Sequence, residues 1–174
     1  PAALGIQILE PSTAEGNVTP YELIIIDQLV KHYRPHTFFE IGTFDGRTTL
    51  NFAANGPEKT KVYTLDLPKE NLRNTQLPLD KSDALYIAKE SSGGRFQGTK
   101  HERKIVQLYG DSSTFDYGPY IGKMDFVFVD GSHSYEYVLN DSRRALELLR
   151  DKQGIILWHD YDSWSGVTRC LNML

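Results

Sequence analysis

The sequence predicts an α/β fold, a doubly wound and mostly parallel sheet with helices on both faces. Three observations carry that expectation. Five short apolar runs, TFFEIG, KVYTLD, KIVQLYGD, DFVFVD and GIILWHD, recur along 174 residues. Segments with helical spacing separate them, as parallel neighbours require, because their crossovers are usually helices. The runs are nearly continuous in apolar residues rather than alternating, the mark of strands buried on both faces.

Residues 1–17, rich in Pro, Gly, Ser and Ala, read as an irregular lead-in. Thr19-Pro20-Tyr21-Glu22 opens a helix that runs to about His32: Thr19 caps, Pro20 suits the first helical position, and Glu22 stands where a capping box places its carboxylate. Thr37 to Gly42 is the first strand, and Gly46 to Ala54 a helix after a glycine turn. Lys61 to Asp66 is the second strand. A polar stretch follows, with Asp83 to Glu90 helical, before the third strand at Lys104 to Asp111. Asp125 to Asp130 is the fourth strand. Ser134 to Asp151 is a helix with Val138, Ala145, Leu146 and Leu149 along one stripe. Gly154 to Asp160 is the fifth strand, and Gly166 to Leu174 begins a last helix. The stretch 67–103 exceeds what a crossover needs and reads as a lid or acceptor loop inserted in one domain, 1–174.

Composition narrows the class. The apolar fraction of 40% and ten tyrosines oppose disorder. No apolar run approaches the ~20 residues that span a bilayer. A net charge of −4 gives no general attraction to nucleic acid or anionic lipid. Lys100, His101, Arg103 and Lys104 form one basic cluster, expected in a solvated loop. Cys170 stands alone, so no internal disulfide forms, and a reducing, cytoplasmic setting is expected.

Each strand closes on a polar or acidic residue: Glu40, Asp66, Asp111, Asp130 and Asp160. In open α/β sheets the carboxyl ends of the strands form the crevice where ligands bind. Any one of these carboxylates also suits the cap of the next helix, but five together favour a shared rim. The first turn, Glu40-Ile41-Gly42-Thr43-Phe44-Asp45-Gly46, separates cofactors. A dinucleotide site places a second glycine where Phe44 stands, and no Gly-Lys-Ser/Thr sequence marks a P-loop. A ligand with an amino-acid end and a nucleoside end tolerates Phe44, and S-adenosylmethionine is one. Asp66 is placed to accept both ribose hydroxyls, and Asp111 with Ser112 to border the adenine.

These segments, FFEIGTFDGRTT, VYTLDLP, LYGDSSTFD, DFVFVDGSHSYEYVLND and GIILWHDYDSWSGV, resemble in order the class I S-adenosylmethionine-dependent methyltransferases, in particular methyltransferase family 24. The resemblance implies a Rossmann-like sheet, Glu40 and Gly42 lining the methionine end of the cofactor, Asp66 on the ribose, Asp111 and Ser112 at the adenine, and Asp130 beside the reactive methyl. Such enzymes generally finish with an antiparallel strand pair, for which few residues remain after Trp164. A truncated chain is the favoured expectation, with an edge covered by a partner or another copy as the alternative.

Methyl transfer to oxygen needs a base or a metal ion to relieve the acceptor of its proton. Asp130 and Asp160 end neighbouring strands and could share a Mg²⁺ ion. The resemblance extends to macrocin and catechol O-methyltransferases, which hold a metal between these strand ends. His133 is a base, a further ligand, or a helix cap. His159, one residue before Asp160, is expected to point away as a structural histidine. The leading function is metal-assisted O-methylation of a small acceptor such as a sugar or glycosylated metabolite, by a protein that could form a homo-oligomer. Alternatives are a hydroxylase of the cephalosporin hydroxylase type, and a non-catalytic S-adenosylmethionine-binding or assembly domain.

Overall fold

The first helix, α1 (Pro20–Tyr33), starts as its sequence dictates. Thr19 Oγ1 accepts from the Glu22 amide at 3.2 Å and Glu22 Oε2 accepts from the Thr19 amide at 2.6 Å, closing the capping box. The computed structural model describes residues 5–174; residues 1–4 of the expected lead-in lie outside the described residues. After α1 come β1 (Thr37–Ile41), α2 (Arg47–Asn55), β2 (Lys61–Asp66), α3 (Asp83–Ile87), β3 (Ile105–Tyr109), β4 (Phe126–Val129), α4 (Tyr135–Leu148), β5 (Ile155–Trp158) and α5 (Ser165–Leu171).

The sheet order is β3-β2-β1-β4-β5, and every pairing is parallel. The expected sheet was mostly parallel with an antiparallel pair lost; among the described residues β5 is an edge with parallel pairing alone. Strand alternation sorts the core into two layers. Phe38 of β1 packs with Phe52, Val62, Phe126 and Phe128 on the side of α1 and α2. Phe39 and Ile41 pack with Val127, Val129, Ala145 and Leu148 on the side of α4. Phe38 stacks on Phe52 with ring centres 5.1 Å apart, the kind of aromatic pair that adds about 0.5–1.5 kcal/mol beyond its buried area.

Some expectations shift. The helix expected to reach Asp151 stops at Leu148, because Leu149 turns to extended backbone. Leu146 is exposed and Leu148 is buried in its place, since two residues along a helix rotate a side chain by about 200°, to nearly the opposite face. α3 is shorter than the expected Asp83 to Glu90. The basic cluster is only half solvated: Lys104 is buried and donates to the carbonyls of Ala53 and Pro57 at 3.0 and 3.2 Å, where it offsets the negative end of α2. Among the described residues no helix is long and apolar enough to cross a membrane.

Candidate active site

The strand order reverses between β1 and β4, and a cavity of about 540 Å³ opens at the carboxyl ends there. Gly42, just past β1, has φ +100°, and a Cβ added to it would lie 1.9 Å from the Asp130 carbonyl oxygen. Only glycine lets the first turn pass this close to the end of β4. Phe44 takes φ +49° and so reproduces, with a side chain, a backbone form that usually calls for glycine. The insertion closes over this turn: the Gly93 and Arg95 amides donate to the Phe44 and Asp45 carbonyls, both at 2.9 Å, and Arg95 pairs with Asp45 at 2.7 Å.

Four of the five strand-end carboxylates, Asp66, Asp111, Asp130 and Asp160, line the cavity, as do Gly42 and Ser112. Glu40 does not. Its position in β1 faces α2, so it is fully buried and accepts from the Thr49 hydroxyl of α2 and, at 2.5 Å, from the Thr64 hydroxyl across the β1–β2 pair. Burial pushes its pKa up to about 8. The expectation that Glu40 lines the methionine end of the site is thereby corrected: it is buried outside the cavity and ties β1 to α2 and β2.

Asp66 accepts from the Thr43 amide at 3.3 Å, from the Ser92 hydroxyl, and from the Lys89 ammonium at 2.7 Å. Asp111 accepts from the Gln76 amide, the Ser113 amide and hydroxyl, and the Tyr137 hydroxyl at 2.7–2.9 Å. Burial opposes ionisation of Asp111, but these donors hold its pKa below the ordinary carboxylate value.

Asp130, His159 and Asp160 meet at one corner. His159 Nδ1 lies 3.0 Å from Asp130 Oδ1 and 3.0 Å from Asp160 Oδ2, yet it is buried and aligned for a hydrogen bond with neither. Each of the three residues offers one donor atom to a common point. His159 was expected to point away, because it precedes Asp160 on the strand. Register overrides that inference: Val129 pairs with Trp158, which sets Asp130 beside His159. Asp160 then takes φ +63° and folds its carboxylate back toward the same corner. Burial alone would lower the His159 pKa, but the adjacent Asp130 and Asp160 carboxylates raise it to about 11.

His133 lies behind that corner. Its Nδ1 is 2.5 Å from Asp83 Oδ1 and its Nε2 is 3.0 Å from Asp160 Oδ2. Trp164 stacks on the ring at 4.2 Å. Burial works against charge on His133, but the two carboxylates push its pKa up to about 9. Where a base or a further metal ligand was expected, His133 bridges Asp83 and Asp160 with both ring nitrogens in this structure. Burial would raise the Asp160 pKa, yet the two histidines hold it far below the ordinary range. Ser134, rather than His133, caps α4, accepting from the Tyr137 amide at 3.3 Å.

A family model described as a methyltransferase domain, Methyltransf_24, matches residues 39–161. The chain belongs to that family. The match on this methyltransferase domain runs from the middle of β1 to just past Asp160, so it takes in every strand end of the cavity. Caffeoyl-CoA O-methyltransferase 2 of Petunia hybrida is 25% identical over 141 residues, covering 81% of this chain and 52% of that relative. The methyltransferase domain thus spans about half the length of the plant relative. Among solved structures, the O-methyltransferase TomG from Streptomyces achromogenes, in complex with S-adenosylmethionine, superposes with a TM-score of 0.62 at 18% identity, covering 95% of this chain and 80% of its own. The O-methyltransferase from Bacillus cereus, in complex with S-adenosylhomocysteine, gives 0.63 at 18%, covering 92% and 71%. At that identity the likeness establishes the Rossmann-like fold.

Several cavity residues had no local signal in the sequence. Asp83, Tyr86 and Lys89 come from the insertion, and Gly16 and Asn17 from the lead-in. Glu22 was visible only as a helix cap.

Proposed function

We propose that this methyltransferase domain transfers the methyl group of S-adenosylmethionine to a hydroxyl oxygen of a small acceptor, assisted by a divalent metal ion. The observation that carries the reading is the convergence of Asp66, Asp111, Asp130 and Asp160 on one cavity at the reversal point of the sheet, in a chain of a methyltransferase family.

Asp66 would accept from the ribose hydroxyls, Asp111 and Ser112 would border the adenine, and Gly42 would leave room for the methionine end. Asp130 and Asp160, with His159, fit a divalent ion, since their donors converge without a hydrogen bond to satisfy His159 Nδ1. When bound there, such an ion lowers the pKa of a hydroxyl beside it. His133, held by Asp83, fixes the rotamer of Asp160. One oxygen of Asp130 lies 3.0 Å from His159 Nδ1; the other would stand beside the acceptor and take the hydroxyl proton. In the transfer the sulfur–carbon bond breaks and the oxygen–carbon bond forms, so the sulfonium becomes a neutral thioether. Tyr86, Tyr161 and Trp164 on the wall suit the flat face of an acceptor ring, phenolic or sugar.

The relatives reported above carry O-methyltransferase names, which favours transfer over hydroxylation. Calorimetric titration with S-adenosylmethionine, with and without a divalent metal, tests the reading. Saturable cofactor binding that Asp66→Ala weakens supports it; a flat titration overturns it. A cofactor complex that methylates no phenolic or sugar hydroxyl, with or without metal, supports the non-catalytic alternative instead.

A further inference from the structure

We propose that His159 is the third donor of the metal corner and tunes it toward first-row transition ions, and that Glu22 holds His159 in place for that role. The inference rests on the metal-assisted reading above and concerns which ion this chain selects.

The geometry is specific to the corner. His159 Nδ1 sits 3.0 Å from one oxygen of Asp130 and 3.0 Å from one of Asp160. Donors bound at about 2.1 Å around one octahedral ion are neighbours at about this spacing. A histidine placed there only to bridge two carboxylates would aim its N–H at one of them; Nδ1 is enclosed and aims at neither. On the far side of the ring, Nε2 lies 3.4 Å from Glu22 Oε2. Metal-bound histidines are commonly fixed in tautomer and direction by a carboxylate on the second nitrogen. Metal binding releases a proton from its ligands; once a cation displaces the Nδ1 proton, the remaining proton on Nε2 faces Glu22 and the Nδ1 lone pair points into the corner. Glu22 is itself fixed, because the same Oε2 accepts from the Thr19 amide in the capping box of α1. The helix start, outside the span matched by the family, thus becomes part of the site.

Donor chemistry then selects the ion. Mg²⁺ takes oxygen ligands and retains water, whereas imidazole nitrogen suits iron, cobalt, nickel and zinc, and manganese tolerates both donor types. Two carboxylates alone would suit the Mg²⁺ expected from the sequence. Two carboxylates and an imidazole shift preference to Mn²⁺, Fe²⁺ or Co²⁺.

Competition binding on the full chain without cofactor tests this, using the Mn²⁺ paramagnetic resonance signal, with Co²⁺ visible absorption reporting nitrogen ligation. In the intact chain Mg²⁺ should displace Mn²⁺ only at a concentration more than tenfold higher. His159→Asn should weaken Mn²⁺ and Co²⁺ on the order of 10–100-fold, leave Mg²⁺ nearly unchanged, and alter the Co²⁺ spectrum. Glu22→Ala should weaken Mn²⁺ about tenfold, whereas Thr19→Ala, which opens the same cap but keeps the carboxylate, should not. Mg²⁺ competing at parity, or a preference retained in His159→Asn, overturns the role of His159 and leaves the metal reading intact. Equal Mn²⁺ affinity in Glu22→Ala overturns the role of Glu22. An intact chain that binds none of the three ions overturns the metal reading and this inference together, and leaves cofactor binding to be judged by its own titration.

Discussion

Asp83 Oδ1 lies 2.5 Å from His133 Nδ1, joining residues 50 positions apart. The same carboxylate accepts from the Ser132 hydroxyl at 2.5 Å and from the His133 amide. The insertion is thereby pinned to the end of β4 by one buried side chain. Asp83→Ala leaves the His133 imidazolium with Asp160 as its one carboxylate partner and strips three further donors of their acceptor, the Asp80 amide being the third at 3.0 Å. Breaking a buried pair from one side costs about 3–5 kcal/mol, and the surviving partner sets the expectation near 3. Urea unfolding of wild type and variant measures it. A loss below about 1 kcal/mol, the range of exposed pairs, would mean that Asp83 does not anchor the insertion.

Asp66 is the ribose candidate, yet in this structure Lys89 and Ser92 already donate to it. Cofactor hydroxyls must share or displace these donors. Asp66→Ala should weaken S-adenosylmethionine binding by about 1.5–3 kcal/mol, the range for hydrogen bonds to a charged group. Lys89→Ala should act in the opposite direction and tighten binding several-fold, because the competing ammonium is gone. Isothermal titration of both variants decides between competition and support: weaker binding in Lys89→Ala would show that the lysine contributes to the cofactor seat.

What the sequence made legible was whatever depends on chain order and strand ends. Asp66, Asp111, Asp130 and Asp160 could be placed on one rim because each follows an apolar strand, and parallel strands present their carboxyl ends together. Glu40 was misplaced because it lies inside its strand, where alternation turns it to α2 and Thr49. His159 was misplaced because cross-strand register, which sets it beside Asp130, cannot be read from one strand alone. Asp83, Lys89 and Ser92 were invisible for a further reason: their approach to Asp66 and His133 depends on the path of a long insertion, and no periodicity encodes that path.

Gly42→Ala tests the closeness of β1 and β4 at the reversal point. The added methyl would meet the Asp130 carbonyl at 1.9 Å, with backbone rather than a flexible side chain as the obstacle, at a φ that disfavours any side chain. Either the turn or the end of β4 must move. Thermal unfolding should show a loss in the exceptional class, above about 4 kcal/mol, or no soluble folded protein. Gly94→Ala, where nothing lies within 4 Å, should be nearly neutral and serves as the control. Similar behaviour of the two variants would refute the requirement for a glycine at 42.

Glu40 makes stability depend on pH in a defined direction. Burial raises its pKa from an ordinary 4.5 to about 8, so the folded chain binds this proton more tightly than the unfolded one. The neutral carboxyl is the form the fold prefers. Its contribution is fully present below the unfolded value near 4.5, falls as pH rises, and is gone above about 8, because stability decreases with pH wherever the native state holds more protons. Asp27 and Asp141, both raised by burial to about 7, act with the same sign over a narrower window. Glu40→Gln keeps an acceptor for the Thr49 and Thr64 hydroxyls but cannot ionise. Compared by urea unfolding at pH 5 and pH 8.5, wild type should lose on the order of a few kcal/mol more than the variant. The remaining slope in Glu40→Gln belongs to Asp27 and Asp141. Equal slopes in the two proteins would place the Glu40 proton outside the folding equilibrium.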